Sequence, residues 1–272
     1  MRNLFGAVLR HTLLLFGLLA CRGPSGPPEA ELARNRQLVK LDEDWTRRGL
    51  LGDDARLEGM LAAATRYPGD PAITWRWARH EVYAGLASED PSIARQHFAR
   101  ARDMSVQCVL DDPGFRAGQQ GRSWSEGLEL LSSAREDCAL WAAFSWLRWV
   151  VAVGVTAAEV DLARITALVS HLEDKAQANE DMRTWTRGLH QVVVDSVNRQ
   201  SSPSGRVLLT RVVEAKPDEL PRAVDLFMVS GAPAAGSLSV LLDRVLSTDS
   251  ARTEDQLARA RLLEFLEGNA EL

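Results

Sequence analysis

Pro71-Ala72-Ile73-Thr74-Trp75-Arg76-Trp77-Ala78-Arg79-His80-Glu81-Val82-Tyr83-Ala84-Gly85-Leu86, continued after a short break by Pro91-Ser92-Ile93-Ala94-Arg95-Gln96-His97-Phe98-Ala99-Arg100-Ala101, sets the architecture. Apolar residues recur at intervals of three and four, the period of a half-buried helix, and the break between the runs carries Asp and Pro. Two helices joined by so short a connection are antiparallel neighbours. The same reading extends outward. It predicts helices over Glu29 to Arg48, Asp53 to Arg66, Pro71 to Leu86, Pro91 to Leu110, Asp137 to Val155, Ala157 to Ala178, Asp181 to Arg199, Gly205 to Ala215, Asp218 to Val229, Ser237 to Ser247 and Thr253 to Glu267. Between Asp111 and Glu136 the pattern weakens around Gly114, Gly118, Gly121 and Gly127, and short helices with loops are expected. No stretch alternates long enough for a sheet, so the fold class is all-α.

Hairpins in series raise the question of repeats. In tetratricopeptide units, small residues let paired helices approach and a proline closes each unit. Met60, Ala63 and Pro68 match the second half of one unit. Trp75, Ala78 and Val82, then Ala94, Phe98 and Ala101, follow another with a slightly lengthened turn at Ser88 to Pro91, while later units are degenerate. Tetratricopeptide-like hairpins are therefore expected over residues 29–272, as a short solenoid or a compact helical bundle.

The first residues read differently. Arg2 and Arg10 sit in an opening free of acidic residues, and Leu13 to Ala20 is apolar but for Gly17. This is the pattern of a secretory signal peptide, too short for a hydrocarbon core that needs about 20 residues. Leu18-Leu19-Ala20-Cys21 resembles the lipobox of bacterial lipoproteins. That resemblance implies removal of residues 1–20, lipidation of Cys21 and a membrane anchor of several acyl chains. Residues 21–28, with Arg22-Gly23-Pro24-Ser25-Gly26-Pro27-Pro28, form a Pro/Gly-rich tether of roughly 20 Å at most. Resemblance to enterobacterial lipoproteins implies that an Asp directly after the lipidated cysteine favours inner-membrane retention. Arg22 here favours the outer membrane, with the domain on the periplasmic face.

Of 272 residues, 252 remain after cleavage, enough for a sizeable core. The formal charge moves from −5 to −7 as Arg2 and Arg10 leave. A mildly acidic chain of this kind is a poor nucleic-acid binder. Cys108 and Cys138 are left in a compartment that permits oxidation. They are either a disulfide worth about 3 kcal/mol or two buried thiols.

Enzyme motifs break down on inspection. His80-Glu81-Val82-Tyr83-Ala84 begins like a zinc-protease helix, but Ala84 stands where a second histidine is needed. Gly121-Arg122-Ser123-Trp124-Ser125 lacks the closing glycine of a nucleophile elbow. Neither catalysis, a metal nor a cofactor is expected.

Ala139 to Val155 is apolar on every side except at Ser145 and Arg148, the mark of a helix buried all round. A membrane span is the alternative, but the run is marginal in length and carries Arg148 near its middle. A buried guanidinium needs a carboxylate, either an internal Asp or Glu or that of a ligand between helices. Trp77, Trp146, Trp149, Trp185 and His190 join Arg148 as candidates for a concave or pore-facing surface, against the plain alternative of core packing.

Trp45-Thr46-Arg47-Arg48, Ala94 to Ala101, Cys138-Ala139-Leu140-Trp141-Ala142-Ala143, Gly188-Leu189-His190, Leu241 to Leu246, Ala258 and Ala260 to Leu263 together resemble the T components associated with TRAP transporters, tetratricopeptide-like periplasmic lipoproteins. The resemblance spans nearly all of the mature chain. It departs at Ser201-Ser202-Pro203-Ser204-Gly205, where relatives carry a Gly-rich turn. It implies a homotrimer and a periplasmic solute-binding receptor as partner, in a non-catalytic transport role that includes a small apolar or acidic ligand. A general tetratricopeptide scaffold for protein–protein interaction in the envelope is the other reading.

Overall fold

The computed structural model describes residues 28–50, 53–120, 122–154, 159–173, 179–230 and 237–270. The signal peptide, Cys21 and the tether up to residue 27 lie outside the described residues. Among the described residues the regular structure is entirely helical: α1 (Glu29–Thr46), α2 (Asp53–Arg66), α3 (Pro71–Leu86), α4 (Pro91–Leu110), α5 (Pro113–Gln119), α6 (Trp124–Glu129), a 3-10 turn (Ser133–Arg135), α7 (Glu136–Val153), α8 (Leu162–Glu173), α9 (Glu180–Val197), α10 (Pro203–Ala215), α11 (Leu220–Ser230), α12 (Ser237–Leu246) and α13 (Thr253–Ala270).

Local chemistry explains the starts. Asp70, Asp90 and Asp112 each stand before a proline. Their carboxylates accept the backbone N–H groups of Ala72 at 2.9 Å, Ser92 at 2.7 Å and Phe115 at 2.9 Å. The proline that follows contributes no N–H and is already set at the helical φ. Ser123 and Glu126 cap α6 reciprocally, each receiving the other's backbone N–H. Helix α7 stops earlier than the expected Val155, because Gly154 turns to φ +100°. The eighth helix spans Leu162–Glu173 where Ala157 to Ala178 was expected. Residues 155–158 and 174–178 lie outside the described residues.

The chain divides into two units, Met1–Lys40 and Leu41–Leu272. The described part of the first is Pro28 and the beginning of α1. The second is organised around α7, against which α3, α4, α8 and α9 all pack. That explains the run from Cys138 to Leu147, apolar but for Ser145, whose side chains are buried on every face. No described helix is long and apolar enough to cross a membrane.

The hairpin α3–α4 carries the tetratricopeptide-like spacing. Ala78, Val82, Ala94, Phe98 and Ala101 are all buried at its seam. A Cβ added at Gly85 would lie 2.6 Å from the Phe98 ring, so glycine is what admits the aromatic side chain. A second hairpin, α9–α10, repeats the device, with Gly188 against Leu209. Beyond neighbouring pairs, α13 packs on α11 and also on α3, a contact that pure nearest-neighbour stacking does not make.

Candidate functional site

Arg148 meets its carboxylate inside the protein. It donates two parallel hydrogen bonds to Asp225 of α11, Nη1 to Oδ1 at 2.8 Å and Nη2 to Oδ2 at 2.6 Å. The Trp185 indole Nε1 adds a third at 2.6 Å. The guanidinium also lies over the rings of Trp185 and Phe144, at 5.0 and 5.2 Å. With Asp225 occupied on both oxygens and Arg148 only 7% exposed, the cluster is a core brace joining α7, α9 and α11. Of the two partners expected for Arg148, the internal acid is the one present, and the alternative of a ligand carboxylate gives way to it.

The tryptophans separate by burial. Trp185 has no exposed surface, and Trp146 is 5% exposed with its Nε1 donating to Asp161 at 3.1 Å. Both were expected to face a concavity. They do not, because Trp146 lies on the part of α7 that packs against neighbouring helices and the α9 face that carries Trp185 is turned into the core. Trp149 is half-buried beneath the Arg102 guanidinium, 4.4 Å above its ring. Trp77, also half-buried, lines a 340 Å³ cleft with Tyr67, Met104, Cys108 and Arg135, and donates to Glu81 at 3.2 Å.

Glu81 is committed to the α3–α4 hairpin rather than to any metal. It pairs with His97 Nδ1 at 2.8 Å and accepts Arg100 Nε at 3.0 Å. Burial alone would raise its pKa, but these bonds override it and hold the carboxyl at about 2. His80 beside it is pushed down to about 4 by burial and by the nearby Arg56 charge. Among the described residues no three His, Cys, Asp or Glu side chains are grouped so as to hold a metal ion.

Cys108 of α4 and Cys138 of α7 form a disulfide with their Cα atoms 6.1 Å apart, and both side chains are buried. Arg135 donates to the Cys108 carbonyl and pairs with Asp112 at 3.6 Å, fixing the chain that leads into α7.

His190, like Trp77, opens onto a surface hollow. Its Nε2 pairs with the Thr166 hydroxyl at 2.9 Å, and burial lowers its pKa. It lines a groove of 490 Å³ with Val169, Arg187, Val207, Leu208 and Arg211. A second hollow of 270 Å³ shares Arg187, Leu208 and Arg211 with the first. Arg187 and Arg211 did not emerge from sequence reading. The available signal was the helical spacing of Thr184, Arg187 and Gln191 on α9, and of Ser204, Val207 and Arg211 on α10.

Comparison with protein-family models and with curated proteins finds no match for this chain.

Proposed function

We propose that the chain is a lipid-anchored, non-catalytic accessory of a TRAP-type solute uptake system. In this reading Cys21 carries the lipid on the periplasmic face, in the outer membrane. The domain works as a homotrimer that engages a periplasmic solute-binding receptor and takes a small apolar or acidic ligand. The observation that carries the reading is where the T-component-like segments fall. Ala94, Phe98 and Ala101 occupy the α3–α4 seam, and Gly188 sits at the close approach of α9 and α10. Cys138 to Ala143 form the buried start of α7, and Leu241, Leu242, Ala258 and Leu262 are buried at the C-terminal end. Residues that match by order and spacing are thus those on which helix pairing depends. The Cys108–Cys138 bridge adds support for an oxidising compartment.

Affinity capture of the full-length, lipidated protein from its native membrane tests the proposal, with Cys21→Ala as the control. A solute-binding receptor should be recovered with the wild type, and metabolic labelling with a fatty-acid probe should mark the wild type alone. Equal labelling of both proteins, or capture of envelope-assembly proteins without a receptor, would reject it.

A further inference from the structure

The groove over α9 and α10 has two compartments joined at Arg187, Leu208 and Arg211. Its charges nearly cancel. Glu173 pairs with Arg187 at 3.1 Å, Asp181 with Lys216 at 3.3 Å and Glu180 with Arg183 at 2.7 Å. Arg211 is exposed and has no ion-pair partner among the described residues. Arg183 and Lys216 lie outside the lining, but within the larger compartment Glu173 and Arg187 offset each other. Arg211 is therefore the charge left over there, at the seam of the two compartments, with Asp195 behind Gln191 as a further carboxylate nearby.

The larger compartment is apolar beside that charge. Val207, one turn before Arg211 on the same face of α10, is 52% exposed, and Leu208 and Val169 extend the apolar wall. His190 adds no charge at neutral pH, since its burial favours the neutral ring. Gln191 is tied to Asp195 at 2.8 Å. The lining thus offers one guanidinium without an ion-pair partner among the described residues, a second at Arg187 that is paired with Glu173, and an apolar surface on one side. A volume of 490 Å³ suits a small organic molecule.

We propose that this groove binds a small carboxylate with a short apolar body, the carboxylate held by Arg211 with Arg187 and the body lying on Val207, Leu208 and Val169. A guanidinium fork matches a carboxylate in shape as well as charge. An inorganic anion would gain the charge but not the apolar contact, and a neutral amide of the same shape would gain the reverse. The inference rests on the transport reading only for the presence of a small ligand. It is read from direct binding, whereas the receptor partnership is read from capture.

The test is isothermal titration of the purified mature protein with 4-phenylbutyrate, against 4-phenylbutyramide and sodium chloride as controls. Phenylbutyrate should bind saturably, and the amide at least about tenfold more weakly, as expected when a charge-assisted contact is lost. Arg211→Gln should weaken phenylbutyrate by about tenfold or more, with Arg211→Lys restoring part of the affinity. Val207→Asp should abolish binding. Both positions are solvent-facing, so unchanged melting curves will show that each variant folds. No saturable binding, equal binding of acid and amide, or undiminished affinity in Arg211→Gln would each overturn the proposal. Receptor capture that persists in Arg211→Gln while phenylbutyrate binding is lost would separate this site from the receptor interface.

Discussion

Arg148 sits in the middle of α7 with its partner on a helix 77 residues further on, and its removal should be costly. Arg148→Met keeps most of the apolar stem but leaves Asp225 buried with only the Trp185 hydrogen bond. A loss of about 3 to 5 kcal/mol is expected in urea unfolding. Wild-type stability in the variant would show that the pair contributes nothing to folding. His80 and Glu81 contribute to the acid limb of the stability curve. His80 is held neutral at a folded pKa of about 4 against an ordinary 6.5. The unfolded chain therefore binds the extra proton first, and stability falls as pH drops from 6.5 towards 4. Glu81, folded at about 2 against 4.5, extends the fall from pH 4.5 towards 2. Thermal melts of His80→Leu should flatten the first window and leave the second in place. An unchanged slope between pH 6.5 and 4 would rule His80 out. A lone arginine in an apolar helix announces in the sequence that an acid must exist. It does not announce which one, because the pairing of α7 with α11 is set by tertiary packing.

Helix α3 shows how a single atom sets the distance between two elements. Gly85 is a poor helix former, and alanine would gain about 1 kcal/mol of intrinsic propensity. The new methyl would stand 2.6 Å from Phe98, so the α3–α4 seam must open or the ring must leave its place. Overpacking of this kind costs about 1 to 3 kcal/mol, so Gly85→Ala should be net destabilising. Adding Phe98→Leu should return part of the loss. Denaturant midpoints of the two single variants and the double variant measure the coupling, and simple additivity would reject a seam contact. At this scale the sequence was most readable: α2, α3 and α4 fall where periodicity and the Asp-Pro starts place them. The tryptophans were less readable, because a tryptophan that faces a concavity and one that fills the core look alike in sequence. Trp146 is turned inward where α7 packs on its neighbours, while α7 exposes Val151 nearer its end.

Across the second unit, the C-terminal helix returns to the first hairpin. Arg48, just beyond α1, donates Nε to Glu254 of α13 at 2.8 Å and stacks 4.5 Å over Trp45. Asp255 accepts the Leu220 N–H at the start of α11, at 3.1 Å, and Arg261 donates to the Ser88 carbonyl beyond α3 at 2.9 Å. Two of these contacts join segments far apart in the chain, 206 residues for Arg48 and Glu254 and 173 for Arg261 and Ser88. A repeat pattern read from sequence describes neighbours and gives no sign of such a return, which is why a solenoid and a bundle both fitted the periodicity. If α13 acts as a closure, Glu254→Leu should do more than loosen its own helix. Arg48 would be left in a site where its side chain is 7% exposed, with the aromatic rings, the Trp45 carbonyl and the more distant Glu219 charge as compensation. A loss of about 2 kcal/mol or more is expected. Native-state hydrogen exchange gives the decisive pattern, since amides open locally or together according to which elements support one another. Faster exchange should reach α3 and α11 as well as α13, and Trp45 emission should shift as its guanidinium neighbour moves. Exchange that quickens only in α12 and α13 would mean that the C-terminal helix rests on the hairpin without holding it.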